Sequence, residues 1–333
     1  MQAGRLGEIV IKSAFAAIAL PIVLLGWMSL FPANAQSFPT RPVRMIVPFP
    51  PGGGTDLTVR LIAQTLQEQW RQSVVLEYKP GGGTVIATDA VAKSTPDGYT
   101  LGVAISSHWI NPSLLPSLPF DTVKDLSGVS TLANSHLVLV ATNSLEANNV
   151  AELIALAKKN PGKLTYATPG SGTNSHLAIE LLKTTAGIDI LHVPYKGGAL
   201  AYPDVIAGRV SLHIVLLQSH ISNIKSGKVK PIGITSARRS AQFPDIPTFA
   251  ETVPGFEVPS INGIVVPSAT PRNTVQRLSA DINKALQSPA LVERMGQMGI
   301  EPYGSTPEQF DAFIRSEIVK WANVVKTSGA KAD

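Results

Sequence analysis

Cysteine is absent from all 333 residues. That excludes disulfides, a thiolate nucleophile, a cysteine-ligated metal and a lipid-bearing cysteine behind a leader. The phosphate-cradling fingerprints are missing too. Neither G-x-G-x-x-G nor G-x-x-x-x-G-K-[ST] occurs, and no lysine follows the glycines at 52–54 to reach a phosphate. The six histidines show no H-E-x-x-H or comparable ligand spacing, so no metal is expected. A G-x-S-x-G elbow is lacking. Ser171 and His176 lie close in sequence, but no aspartate is placed to orient the histidine, which argues against a secreted hydrolase. No enzyme activity and no cofactor are expected. Charged residues make up only 15% of the chain, and lysines and arginines are scattered without runs or interleaved aromatics. That pattern gives no support to nucleic-acid binding. The formal charge of +5 is a modest excess that suits an anionic ligand.

Long apolar runs are also scarce: only Ser13–Phe31 stands out. Arg5 and Lys12 precede it, and Ala33-Asn34-Ala35 follows with small residues where a signal peptidase reads. Residues 1–35 therefore read as a signal peptide cleaved after Ala35. The alternative is an uncleaved anchor, because the run approaches spanning length, but the A-x-A site favours cleavage. The expected location is the periplasm, and nothing suggests more than a monomer.

The full sequence is 44% apolar, and the chain that remains is long enough for two domains, each with its own core. Strand-like and helix-like segments alternate. Val43–Val47, Ser73–Glu77, Tyr99–Ile105, Leu137–Ala141, Leu164–Thr168, Ile190–Val193, Val210–Leu216 and Val229–Ile234 read as strands. Helical spacing links Leu57, Leu61, Leu66 and Trp70, and later Val275, Leu278, Ile282 and Leu286. Asn149 with Glu152, and Thr306 with Gln309, read as capping boxes, and Pro161 as a stop. A further helix is expected over Thr173–Leu182. Such alternation predicts an α/β fold with mostly parallel sheets. The grouping of elements suggests one lobe from 36–137 plus 260–333 and a second from 138–259, with crossings near Leu137 and Pro259.

Four loops at strand ends carry candidate ligand contacts. The first is Pro48-Phe49-Pro50-Pro51-Gly52-Gly53-Gly54-Thr55-Asp56, between a strand and a helix start. Phe49 and Pro50 stiffen or line it, while Gly52, Gly53 and Gly54 let a ligand approach the backbone. The helix N-terminus behind offers N–H groups and partial positive charge to a carboxylate or phosphate. Thr55 or Asp56 could instead be simple N-caps. The second loop, Thr168-Pro169-Gly170-Ser171-Gly172-Thr173-Asn174-Ser175-His176, repeats this grammar in the other expected lobe. Gly170, Ser171, Gly172, Thr173 and His176 are its candidates; an ordinary strand-to-helix connection is the alternative. The third, around His192–Gly198, offers Tyr195 and Lys196, the latter readable as a surface charge. The fourth offers Ser106, Ser107 and His108, readable also as turn capping. Two helix N-termini, one per lobe, would close on one anion by hinge motion.

These segments resemble, in order and over nearly all of 38–326, the periplasmic receptors of tripartite tricarboxylate transporters, the Bug-type solute-binding proteins. The likeness lies in Phe38-Pro39-Thr40-Arg41-Pro42, Ile46-Val47-Pro48-Phe49-Pro50-Pro51-Gly52-Gly53, Pro96-Asp97-Gly98-Tyr99-Thr100-Leu101 and Leu118-Pro119-Phe120-Asp121. It continues through Glu152–Lys158, His192–Gly197, Phe243-Pro244-Asp245-Ile246-Pro247-Thr248 and Lys320-Trp321. The resemblance implies a two-lobed Venus-flytrap fold that captures a small carboxylate between the loops at Phe49–Asp56 and Thr168–His176. It further implies delivery to separate membrane transporter subunits; a receptor feeding a sensor system is the alternative. Members of this family often carry an acidic residue at the positions of Ser211 and Val215. Both are neutral here, which favours a plain carboxylate over an amino acid. Tyr78 also replaces a usual asparagine, and Leu200-Ala201 lacks a usual proline.

Overall fold

The β-branched runs of the sequence become a central sheet system in the computed structural model, which describes residues 38–240 and 242–328. The expected signal peptide lies outside the described residues. Among those residues the strands are β1 (Val43–Val47), β2 (Val74–Tyr78), β3 (Thr100–Ala104), β4 (Leu126–Ala141), β5 (Thr165–Thr168), β6 (Leu191–Pro194), β7 (Leu212–Leu216), β8 (Lys230–Ile234), β9 (Pro259–Pro267) and β10 (Glu301–Pro302). Helices flank them: α1 (Gly54–Trp70), α2 (Val85–Ala92), α3 (Ser107–Leu114), α4 (Val150–Lys159), α5 (Asn174–Ala186), α6 (Tyr202–Ile206), α7 (Ile221–Lys225), α8 (Arg272–Leu286), α9 (Pro289–Gln297) and α10 (Pro307–Ser328). No helix among the described residues is long and apolar enough to cross a membrane.

The architecture is two-lobed α/β, and one long strand ties the lobes together. Strand order runs β2-β1-β3-β9-β4-β7-β5-β6. The first part of β4, Leu126 to His136, pairs antiparallel with β9, while Leu137–Ala141 pairs with β7 and β8. From Arg41 onward the described chain packs as one unit. The sheets are mixed rather than mostly parallel. Pairings among β1, β2 and β3, and among β5, β6 and β7, are parallel, but every pairing of β4 or β9 is antiparallel. The cause is topological: β4 and β9 carry the chain between the two groups in opposite directions, so they meet each other and the βαβ units head to tail.

Local chemistry explains where the helices begin. Asn149 accepts the Glu152 N–H at 2.9 Å, and Glu152 reaches back to the N–H of Asn148 at 2.7 Å, one residue upstream of a standard box. Thr306 and Gln309 complete their box at 3.2 and 2.9 Å. Helix α10 then buries Phe310, Ile314 and Trp321, each contributing about 2 kcal/mol of hydrophobic stabilisation. Helix α1 is locked to α8 by the Trp70 indole N–H, which donates to Asp281 at 2.8 Å.

Candidate functional site

All four sequence-predicted loops sit at the carboxyl ends of parallel strands, where open α/β sheets place their ligands. Strand β1 feeds Phe49–Gly53 into α1, β3 feeds Ser106 into α3, β5 feeds Pro169–Thr173 into α5, and β6 feeds Tyr195–Gly197 into the turn at 198–201. The loops from the two sheet groups touch. The Asn174 N–H donates to Ser106 Oγ at 3.2 Å, and Asn174 Nδ2 donates to the Pro259 carbonyl at 3.2 Å. Pro50 rests against Gly197, whose φ of 135° and lack of a side chain permit the approach; a Cβ there would lie 2.6 Å from Pro50.

A small buried cavity of ≈ 40 Å³ opens between these loops. The start of α1 supplies Gly53, Gly54 and Thr55, and the start of α5 supplies Thr173, Asn174 and Ser175. Ser106, Ser260 and Asn262 add polar groups, while Phe49, Val215 and Leu216 close the wall. Among the described residues, no charged side chain lines it. Gly53 is the N-cap of α1 and its carbonyl accepts from Leu57, so the preceding helical N–H groups have no intrahelical acceptor. Gly54 is packed so tightly that a Cβ would meet Leu216 Cβ and Ser219 Oγ at 2.6 Å. Helix α5 is capped by Thr173 Oγ1, which accepts the His176 N–H at 3.3 Å. Both helices thus aim their positive ends at one space. Asn262 is 1% exposed, and its Nδ2 has no hydrogen-bond partner.

The structure sorts the predicted residues. Phe49, Gly53, Gly54, Thr55, Ser106 and Thr173 line the cavity. Gly170, Ser171, Tyr195 and Lys196 do not; they line a neighbouring, larger one. Pro50, Gly52 and Gly172 shape the loops through packing and, at Gly52 and Gly172, positive φ. Asp56 points away from the cavity. Its carboxylate accepts the Gly52 N–H at 2.8 Å, Arg60 at 2.9 Å and the Tyr78 hydroxyl at 2.6 Å. It is neither the N-cap of α1 nor a cavity contact, and it holds the glycine loop from behind. Burial, then Asp56, push the Tyr78 phenol up to about 12.

Ser107 and His108 are corrected likewise. One residue along a helix turns the side chain by about 100°, so Ser106 faces the cavity while its successors enter the core. His108 is 4% exposed beside Leu126 and Val265, and burial pushes its imidazole down to about 4. His176 stacks on His192 at 4.1 Å and accepts the Gly172 N–H, which keeps it inside the α5 loop. The Tyr195 hydroxyl is committed to Asp204 at 2.5 Å; burial first, then Asp204, raise it to about 12. Sequence reasoning missed Asn174, Ser175, Gly198, Ser260 and Asn262 as wall residues. Asn174 and Ser175 stood inside the second loop and were legible there. Ser260 and Asn262 lie on β9 ahead of its β-branched run Ile264-Val265-Val266.

Comparison with known proteins bears on this geometry. Residues 58–330 match the family described as tripartite tricarboxylate transporter family receptor. Protein BugT of Bordetella pertussis is 40% identical over 303 residues, covering 90% of this chain and 93% of its own. A Rhodopseudomonas palustris protein solved with adipate is 34% identical with a TM-score of 0.86, covering 89% of this chain and 100% of that one. The protein MatC of Rhodopseudomonas palustris, solved with bound malate, is 28% identical with a TM-score of 0.79, covering 86% of this chain and 100% of its own.

Proposed function

Because the chain belongs to the tripartite tricarboxylate transporter receptor family, we propose that it captures a small carboxylate in the cavity between the starts of α1 and α5 and delivers it to separate membrane transporter subunits. Members of this family are periplasmic substrate-binding receptors, not enzymes. The observation that carries the reading is the pairing of two helix N-termini with the buried, unpartnered Nδ2 of Asn262 in a wall that, among the described residues, has no charged side chain. Helix starts and amide N–H groups stabilise a negative charge without a counter-ion. An unpaired buried donor costs about 1–3 kcal/mol, which a carboxylate oxygen would relieve. The adipate and malate held by the two Rhodopseudomonas relatives agree with a carboxylate class.

Val215 lines the cavity where an acidic residue would have met a ligand ammonium. With no carboxylate in the wall, a zwitterionic amino acid would bury its ammonium unpaired, at a cost of several kcal/mol. The ligand class is therefore a plain carboxylate. We take the lobes as 36–137 with 260–333, and 138–259, since β4 changes partners after His136 and β9 begins at Pro259. A ligand that touches both lobes favours their closed arrangement. Cleavage after Ala35 would release the chain into the periplasm. A thermal-shift screen of residues 36–333, refolded free of ligand, tests the reading. Aliphatic acids should raise the melting temperature and glutamate should not. A shift with glutamate alone, or with no acid, would count against it.

A further inference from the structure

The cavity at the helix starts, ≈ 40 Å³, is much narrower than its neighbour. Its polar lining at two helix starts suits one carboxylate group. The rest of any larger acid has to leave it. Phe49, Pro169 and Thr173 line this chamber on one side and a second cavity of ≈ 360 Å³ on the other. The second chamber lies between the glycine turn at Gly81–Gly83, the end of α3 and the Tyr195–Lys196 loop.

One group in it has an unmet requirement. Asn111 is 3% exposed and lines the chamber. Its Nδ2 donates to the Gly83 carbonyl at 2.9 Å, which fixes which way round the amide sits. Its Oδ1 is left buried beside Gly83 and Gly172 with no hydrogen-bond partner. A carbonyl oxygen accepts and does not donate, so a second ligand carboxylate would meet it lone pair to lone pair. A hydroxyl would donate to it. Phe49, Leu115, Pro169 and the Tyr195 ring suit a methylene chain or a ring, while Lys196 also lines the chamber and would favour a second carboxylate, so the affinity for adipate tells recognition by Lys196 from recognition by Asn111.

Building on the carboxylate reading, we propose that the second chamber is a specificity site for the distal part of the ligand, and that the ligand is a carboxylate bearing a hydroxyl at its far end. The carboxylate occupies the first chamber, the apolar body passes Phe49, and the hydroxyl donates to Asn111 Oδ1.

Titration calorimetry with propionate, hexanoate, 6-hydroxyhexanoate and adipate tests this, using the wild-type chain, Asn111→Leu and Leu115→Trp. The wild type should bind 6-hydroxyhexanoate about tenfold more tightly than hexanoate. Asn111→Leu should erase that preference and leave hexanoate within about threefold. Leu115→Trp narrows the second chamber without touching the first, so it should weaken both six-carbon monoacids and keep propionate. Equal wild-type affinity for hexanoate and its hydroxyl analogue overturns the proposal. So does a preference for adipate that Asn111→Leu leaves intact, or unchanged binding of the long acids by Leu115→Trp. Propionate binding with no six-carbon acid bound overturns the second chamber alone. Failure of every acid, propionate included, overturns the carboxylate reading itself and this proposal with it. Circular dichroism of each variant verifies folding, and either variant suffices if the other does not fold.

Discussion

Acid should destabilise this protein through its buried histidines well before its carboxylates titrate. His108 has both ring nitrogens buried without a partner, and burial holds its imidazole down at about 4. His220 is held down at about 4 by burial as well, with its Nε2 2.8 Å from His213 Nδ1. His213 is driven well below the usual value by burial and by His220. In the unfolded chain such groups titrate near 6.5, so on acidification the unfolded state takes up protons first. The contribution is therefore complete above about pH 6.5 and is lost as pH falls toward the folded value near 4. For a group shifted from about 6.5 to about 4, the loss between pH 6.5 and pH 5 is about 1.5 kcal/mol. His108 and His220 together give about 3 kcal/mol on that basis, and His213 adds to it. Carboxylates such as Glu77 and Glu180, with lowered values, withdraw their stabilisation only below their ordinary 4.5 and lie outside this window. Urea unfolding of the wild type and His108→Leu at both ends of the window, followed by circular dichroism, measures the difference. His108→Leu should lose about 1.5 kcal/mol less than the wild type. An equal loss in both would refute the linkage reasoning.

Other perturbations probe the packing and the site. Asp281→Ala strands the buried Trp70 indole N–H and should cost about 1–3 kcal/mol in urea unfolding, with Asp281→Asn milder because an acceptor remains. Thr173→Pro removes both the cap on His176 and the N–H bond to Gly170. It should lower the melting temperature by about 2–4 °C and weaken carboxylate binding by at least about tenfold, read by calorimetry. Val215→Asp places a carboxylate in the cavity wall. Repulsion of about 3 kcal/mol at about 5 Å should weaken plain acids by tenfold or more near neutral pH, and competition between an acid and its α-amino analogue should then move toward the amine.

The positions of the ligand loops were legible because they depend on local chemistry. Gly52 needs positive φ and Thr173 caps a helix, and each requirement is met by residues adjacent in sequence; Gly54 is the exception, since Leu216 and Ser219 leave it no room. The N-caps at Asn149 and Thr306 were legible for the same reason, although Glu152 reaches back to the N–H of Asn148 and not to that of Asn149. The second half of β4 showed as the apolar run Leu137–Ala141, but its first half reads Leu-Ser-Gly-Val-Ser-Thr-Leu-Ala-Asn-Ser-His and lacks the alternation of a half-buried strand. It is a strand because β9 pairs with it and α10 covers it, which is a tertiary cause. Ser260 and Asn262, on its partner β9, face the ligand loops only through that pairing. Asp56 misled because a carboxylate at a helix start serves a loop as readily as a ligand, and only the placement of Arg60 and Tyr78 decides between them. His108 misled because its direction is set by helix phase: Ser106 and His108 differ by two residues, or about 200° around the axis.

Neutral dipoles in the first chamber recognise a negative charge. The most direct test is calorimetric titration of the refolded chain with the acid that gives the largest thermal shift and with its carboxamide, which has the same shape and no charge. Charge-assisted bonds are roughly twice as strong as neutral ones, so the acid should bind at least about a hundredfold more tightly, and Asn262→Leu should shrink that ratio. Equal affinity for acid and amide would contradict the account.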